Sequence, residues 1–328
     1  MFMRKAPEDI SQRGFTVEGF SVPHSDRRRA ALLGNRLIDI ALDSSRIAEA
    51  LHVKVGADGP AGEITEFLVG TPRYSDDTTR YLHTGWQTLS HAESVIPKRE
   101  FPSEMKEYFE IQREILSAVG NTWLHFIEEL APGHPQITSM FAHHDKSNLN
   151  YHLRHNRYMD LTECSSANPT FSAHGDRSAL SAQIFETHSG HLRIAPYKVR
   201  DIDSDPQLLR QRAEQARRLI ESNVTSVEMR RHEIALFLGF GIRNLIDTET
   251  MENPFLDLNA AYHYGEPPGN DRPIDDAVEA DFGKNVRVSM VAFGNPHIKT
   301  PYINYHQATK EACRPEQMLE KLLQALQD

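Results

Sequence analysis

Cysteine is nearly absent from this chain: Cys164 and Cys313 are the two in 328 residues. Two cannot build a disulfide framework or a cysteine-rich metal site, and they suit a reducing cytoplasm. Long apolar runs are missing too, none reaching the roughly 18 residues of a membrane helix. The opening Met-Phe-Met-Arg-Lys-Ala-Pro-Glu-Asp has no apolar signal core. A soluble, cytoplasmic protein without a membrane partner is the expectation. Positive charge is also in deficit, with 36 Lys and Arg against 46 Asp and Glu for a net charge of -10. Phosphate binding needs a basic face, so no nucleic-acid partner is expected. The arginine groups Arg27-Arg28-Arg29, Arg217-Arg218 and Arg230-Arg231 each stand beside acids and read as solvated faces. No internal repeat or low-complexity stretch occurs.

What the chain has is ordinary for a globular protein, 39% hydrophobic and 25% charged, enough for one large core with a helical annex. Residues 1 to 28 read as a polar, irregular arm with one short strand around Phe15 to Phe20. Apolar spacing from Arg29 to Leu51 predicts one or two helices. Residues 54 to 75 read as loop, and Arg80 to Trp86 as strand or loop, with Tyr81, His83 and Trp86 as candidates for a pocket wall. From Pro102 to Leu130 the helical period is strong, with Pro132-Gly133 closing it. Beyond residue 135 the period shortens to that of strands: Asn150 to Tyr158, His174 to Phe185, Leu192 to Ile194, Val224 to Val227, Ile234 to Gly239, Asn259 to Tyr264 and Asn285 to Phe293. A charged helix is expected at about 205 to 221, a Pro/Gly/Asp-rich loop over 265 to 283, and a helix at 315 to 326. Helices followed by many short strands predict a mixed α+β chain with a mainly β core of two sheets.

With 17 histidines, spacing rather than number must carry an argument for a site. His174 and Asp176 stand two apart on an extended stretch, and so face one side. With a distant histidine they would make a 2-His-1-carboxylate face, which leaves positions open on Fe(II). The similar His143-His-Asp145 has no alternating run after it and reads as surface.

Several separated pieces agree with one family. Leu153-Arg-His-Asn156-Arg-Tyr158, His174-x-Asp176 with Gln183 and Gly190-His-Leu-Arg-Ile194, the glycine turn in Phe237 to Leu245, and Arg287-x-Ser289 occur in one order. In these the chain resembles the Fe(II)/2-oxoglutarate-dependent oxygenases of the isopenicillin-N-synthase-like group, over roughly residues 102 to 297. The resemblance implies a double-stranded β-helix (jelly roll) braced by N-terminal and C-terminal helices. Its implied divisions are a helical region at 1–135, a catalytic core at 136–300 and a C-terminal helix at 301–328. It implies His174, Asp176 and His263 as iron ligands, Arg287 and Ser289 as the anchor of 2-oxoglutarate, and Tyr158 and Asn156 as helpers. Guanidinium geometry suits the far carboxylate of that cosubstrate. The implied reaction consumes 2-oxoglutarate and O2, releases succinate and CO2, and hydroxylates, desaturates or cyclises a small organic substrate, in specialised metabolism. The chain departs from the family's spacing: Asp176 to His263 spans 263 − 176 = 87 residues and His263 to Arg287 spans 24. His232, His297 and His306 are the rivals of His263, and His188 and His191 read as exposed at a turn. Two other functions stay open: an iron oxidase using no 2-oxoglutarate, and a metal-free or zinc-binding jelly-roll module without oxygen chemistry.

Overall fold

A computed structural model describes residues 6–43, 68–70, 79–85, 103–142, 150–158, 174–176, 178–199, 224–247, 249–265 and 273–296. The long helix α3 (Ser103–Leu130) follows α1 (Ala6–Arg13) and α2 (His24–Asp43) among the described helices. It begins just after Pro102, and every third or fourth residue turns inward: Met105, Tyr108, Phe109, Gln112, Ile115, Leu116, Val119, Trp123, Phe126, Ile127 and Leu130. The described strands are β1 (Phe15–Gly19), β2 (Leu68–Gly70), β3 (Thr79–Gly85), β4 (Asn150–Tyr158), β5 (His174–Gly175), β6 (Leu180–Glu186), β7 (Leu192–Lys198), β8 (Thr225–Ser226), β9 (Glu233–Leu238), β10 (Asn259–Gly265) and β11 (Arg287–Asn295). Short helices α4 (Pro135–Ser139) and α5 (Asp276–Phe282) and a 3-10 helix at Phe240–Asn244 complete the described elements. Among the described residues, no helix is long and apolar enough to cross a membrane.

The strands form two antiparallel sheets, one ordered β1-β9-β6-β11-β4-β3-β2 and the other β5-β10-β7-β8. Period-2 alternation sorts side chains to the two faces of the larger sheet. Leu153, Ala182, Leu236, Val288, Met290 and Ala292 share one apolar cluster with α3. Trp123 crosses Tyr151 edge-on at 5.1 Å, and a Cβ on Gly294 would lie 2.6 Å from its ring, so the helix packs directly on β11. On the opposite face Phe15, Ala235 and Phe237 meet Leu192, Ile194 and Ala261 of the smaller sheet in a second cluster. That inner apolar strip is narrow. Polar side chains buried on the same inward face flank it, and they form the site below.

Several elements differ from the sequence expectation. The N-terminal stretch carries α1 as well as a strand, because Ala6 and Ile10 bury against the sheet and core. The loop expected at 54 to 75 contains β2, paired to β3. The loop expected at 265 to 283 contains α5, whose N-cap Asp275 accepts from Val278 N at 2.8 Å. The single strand expected over His174 to Phe185 is two strands in different sheets, with a bend at Ser178 and Ala179 before the second. Arg27 is not on a solvated face but is 2% exposed. It donates from Nη1 to the carbonyls of Ile184 (2.8 Å) and Glu233 (3.1 Å) and from Nη2 to that of Arg231. The helices expected at 205 to 221 and 315 to 326, Arg217-Arg218, the His143-His-Asp145 triplet and both cysteines lie outside the described residues.

Candidate active site

The segment after β5 carries the first half of the site. Phe240 N donates to Asp176 O (2.7 Å), Gly241 N to Ser178 O (3.0 Å) and Gly239 N to Ala179 O (3.1 Å). These bonds hold Asp176, Ser178 and Ala179 against the turn that ends β9. A Cβ on Gly239 would lie 2.1 Å from Ser178 O and 2.9 Å from Asp176 O, so the close approach requires glycine there. Ser181, on the inward face of β6, donates to Asp176 Oδ2 at 2.7 Å. Ser178 Oγ stands 3.0 Å from Ser181 Oγ.

With Oδ2 held, Asp176 Oδ1 lies 3.7 Å from His263 Nε2. Both residues are 8% exposed. His263 is on β10, its ring edge-on to Phe237 at 5.4 Å, with Nδ1 at 3.5 Å from Ala261 O. Two N/O donors on one ion, each about 2.1 Å from it, stand at most about 4.2 Å apart. The Asp176–His263 spacing therefore fits a shared ion. His174 is the register partner of His263 on the neighbouring strand, which puts its backbone beside the pair. Among the described residues no group of three His, Cys, Asp or Glu side chains is assembled, and His174 enters through its backbone register alone.

The other half of the site lies across the inner apolar strip on β11, β4 and β6. The register sets Arg287 opposite Tyr158 and Ser289 opposite Asn156 on one side, and Ser289 opposite Glu186 on the other. Arg287 is 2% exposed, its guanidinium 4.7 Å from the centre of the Tyr158 ring, a cation–π distance. Asn156 Nδ2 donates to Ser289 Oγ at 3.3 Å and is held by Arg154 Nε at 3.0 Å. The four residues inferred for cosubstrate binding thus form one buried patch.

Sequence reasoning missed two members of the site. Ser181 had a readable signal, a hydroxyl five residues after the carboxylate on an alternating strand. Glu186 did not. Its Oε2 lies 3.9 Å from Arg287 Nη2, its Oε1 accepts from His191 N at 3.2 Å, and Gln183 Nε2 reaches Oε2 at 3.4 Å. Burial pushes the Glu186 carboxyl up to about 7, against the pull of Arg287 and of the His191 N–H. Plain alternation from Ser181 would put Glu186 on the helix side. A bulge shifts the β6–β11 register between Met290 and Val291, which turns Glu186 inward.

The histidines expected to be exposed at the turn, His188 and His191, are instead buried, at 0% and 4% exposure. Thr187 Oγ1 and Lys284 O hold the His188 ring at 2.9 and 3.2 Å. His232, a rival third ligand, has a largely exposed side chain against Glu233 and does not reach the pair. Trp86, His297 and His306 and the side chains of Tyr81 and His83 lie outside the described residues.

No family model matches the chain, and no curated protein matches it. Solved structures share its fold. Among them are a dioxygenase, a protein of the 2OG-Fe(II) oxygenase family and a protein in complex with alpha-KG. A dioxygenase for auxin oxidation from Arabidopsis thaliana, in complex with 2-oxoglutarate, superposes with a TM-score of 0.50 at 10% identity, over 89% of this chain and 87% of that one. A full-length Neurospora crassa protein, in complex with alpha-KG, gives 0.50 at 10%, over 89% and 77%. A Caulobacter crescentus protein assigned to the 2OG-Fe(II) oxygenase family gives 0.50 at 14%, over 98% and 93%. At these identities the likeness is one of fold, a mixed α/β architecture with antiparallel sheets.

Proposed function

We propose that this chain is an Fe(II)- and 2-oxoglutarate-dependent dioxygenase acting on a small organic substrate from a double-stranded β-helix core. The observation that carries the reading is the pairing of two buried half-sites on one inner face. One is the Asp176–His263 pair at ion-sharing distance, and the other is the Arg287–Ser289–Tyr158–Asn156 patch. The shared fold supports it, because two of the similar proteins hold 2-oxoglutarate or alpha-KG. A bound iron would supply the redox chemistry that couples decarboxylation of the keto acid to oxidation of the substrate. In balance, 2-oxoglutarate, O2 and a C–H bond give succinate, CO2 and a C–OH group. Asp176 and His263, with His174 from the adjacent strand, would hold the ion. Ser181 keeps one carboxylate oxygen occupied, which would leave the other to bind the ion. Arg287 neutralises the distal carboxylate of the cosubstrate, Ser289 adds a hydroxyl donor, and the apolar strip between them excludes water.

The test is anaerobic. Protein plus Fe(II) is titrated with 2-oxoglutarate and watched for the weak visible charge-transfer band of a keto acid chelated to iron. The band should appear in the native protein, vanish in His263→Ala and Asp176→Ala, and require far more 2-oxoglutarate in Arg287→Ala. Iron binding without a band would favour an oxidase that uses no 2-oxoglutarate. Absence of iron binding would leave a jelly-roll binding module.

A further inference from the structure

Arg287 already has a carboxylate beside it. Its guanidinium lies between the Tyr158 ring and Glu186, and the 3.9 Å gap to Glu186 Oε2 exceeds the roughly 2.7–2.9 Å of a charge-assisted hydrogen bond. The acid is thus close enough to neutralise the arginine without gripping it in a short, two-pronged bridge. A ligand carboxylate taking that grip would bring a second negative charge within a few ångströms of Glu186 in a buried site. Two carboxylates so placed disfavour each other's ionisation, and the buried acid already in the site is the one that takes the proton. We propose that Glu186 is a resident carboxylate that holds the charge of Arg287 until 2-oxoglutarate arrives, and that binding of the cosubstrate is coupled to uptake of one proton by Glu186. This rests on the cosubstrate reading above and deepens it.

The surroundings permit the exchange. A protonated Glu186 can keep the hydrogen bonds from His191 N and Gln183 Nε2 and gains an O–H donor to offer the ligand. Glu186 also lines a cleft of about 270 Å³ with His24, Arg27, Arg230, Arg231 and Glu233. The ionisable groups that face it are Arg287 and Tyr158 across the sheet, His191 with His188 edge-on at 5.7 Å in the following turn, and the charged residues of that cleft. Because the free acid titrates at about 7 rather than at its ordinary 4.5, Glu186 is protonated at pH 5.5 and mostly ionised at pH 8.

Protein saturated with redox-inert Mn(II) is titrated with 2-oxoglutarate by calorimetry at both pH values, in buffers of differing ionisation enthalpy. Wild type should take up close to one proton at pH 8 and almost none at pH 5.5. Its affinity should fall up to about tenfold per pH unit above about 7. Glu186→Gln should show neither uptake nor slope, and His191→Asn should retain both. Uptake that persists in Glu186→Gln, or binding by wild type at pH 8 without uptake, overturns the proposal. Should Glu186→Gln fail to fold, the wild-type comparison between the two pH values decides by itself. No binding of 2-oxoglutarate by wild type is a different result, the failure of the cosubstrate reading.

Discussion

At the scale of single residues, the site depends on short polar side chains that fix longer ones. Ser181 illustrates this: its hydroxyl occupies Asp176 Oδ2 at 2.7 Å and leaves Oδ1 turned to His263. Ser181→Ala should therefore weaken metal binding by about ten- to hundredfold, the usual cost of losing an outer partner of a ligand, with little change in unfolding free energy. Calorimetric titration with Mn(II) beside thermal unfolding separates the two. An equal loss in both would mean that the serine acts on packing instead. Asn156 has the same kind of role at the other end, where it holds Ser289 and is itself held by Arg154.

Among elements, the approach of Asp176, Ser178 and Ala179 to the turn at 239–241 forms the most constrained contact of the site. Three backbone hydrogen bonds join them, and Gly239 has no room for a side chain because backbone atoms, not flexible side-chain ends, would meet its Cβ. Gly239→Ala should lower the unfolding free energy by about 1–3 kcal/mol, as over-packing of a tight contact does. It should also reduce metal affinity, since the carbonyl of Asp176 is one of the atoms displaced. Chemical denaturation with and without Mn(II) reads both effects. A mutant with native stability and native metal binding would show that the two segments can separate without cost.

For the whole molecule, pH acts on stability through groups on both faces of the larger sheet. Burial lowers the His152 imidazole to about 4 and that of His155 to about 3, the latter helped by Arg157. Both are neutral when folded, while in the unfolded chain they protonate near 6.5. Their contribution is present above pH 6.5 and is lost as pH falls toward 4 and then 3, at about 1.4 kcal/mol per pH unit for each group. Glu186 has the opposite sign: its carboxyl is raised to about 7, so its contribution is present below about 4.5 and is lost as pH rises through 7. Where the windows overlap the two histidines outweigh the one carboxyl, so the metal-free protein should be most stable near pH 7. Glu186→Gln should steepen the rise of melting temperature with pH between about 4.5 and 7, because it removes the contribution that opposes the two histidines. An unchanged slope over that window would mean that Glu186 does not titrate there.

The sequence by itself determined the local elements and the identity of most site residues. The 3.6 period of α3 and the alternation of β4 and β11 follow from burying one face, which any tertiary arrangement would require. The spacing of Arg287 and Ser289, two apart, places both on one side of a strand wherever that strand lies. Tertiary structure decided what those rules leave open. The run from His174 to Phe185 reads as one strand, yet its two ends lie in different sheets, because contact of Asp176, Ser178 and Ala179 with the Gly239 turn outweighs continuation of the strand. Helix α5 was hidden by the loop-like composition around it and forms on a cap at Asp275. Arg27 reads as a surface charge until three backbone carbonyls from β6 and the turn into β9 surround it. Glu186 sits on the wrong parity until one extra residue in β6 reverses it. Periodicity is a property of a chain and its solvent, whereas a bulge, a contact with a glycine turn or a carboxylate beside a distant arginine exists only once two distant segments meet.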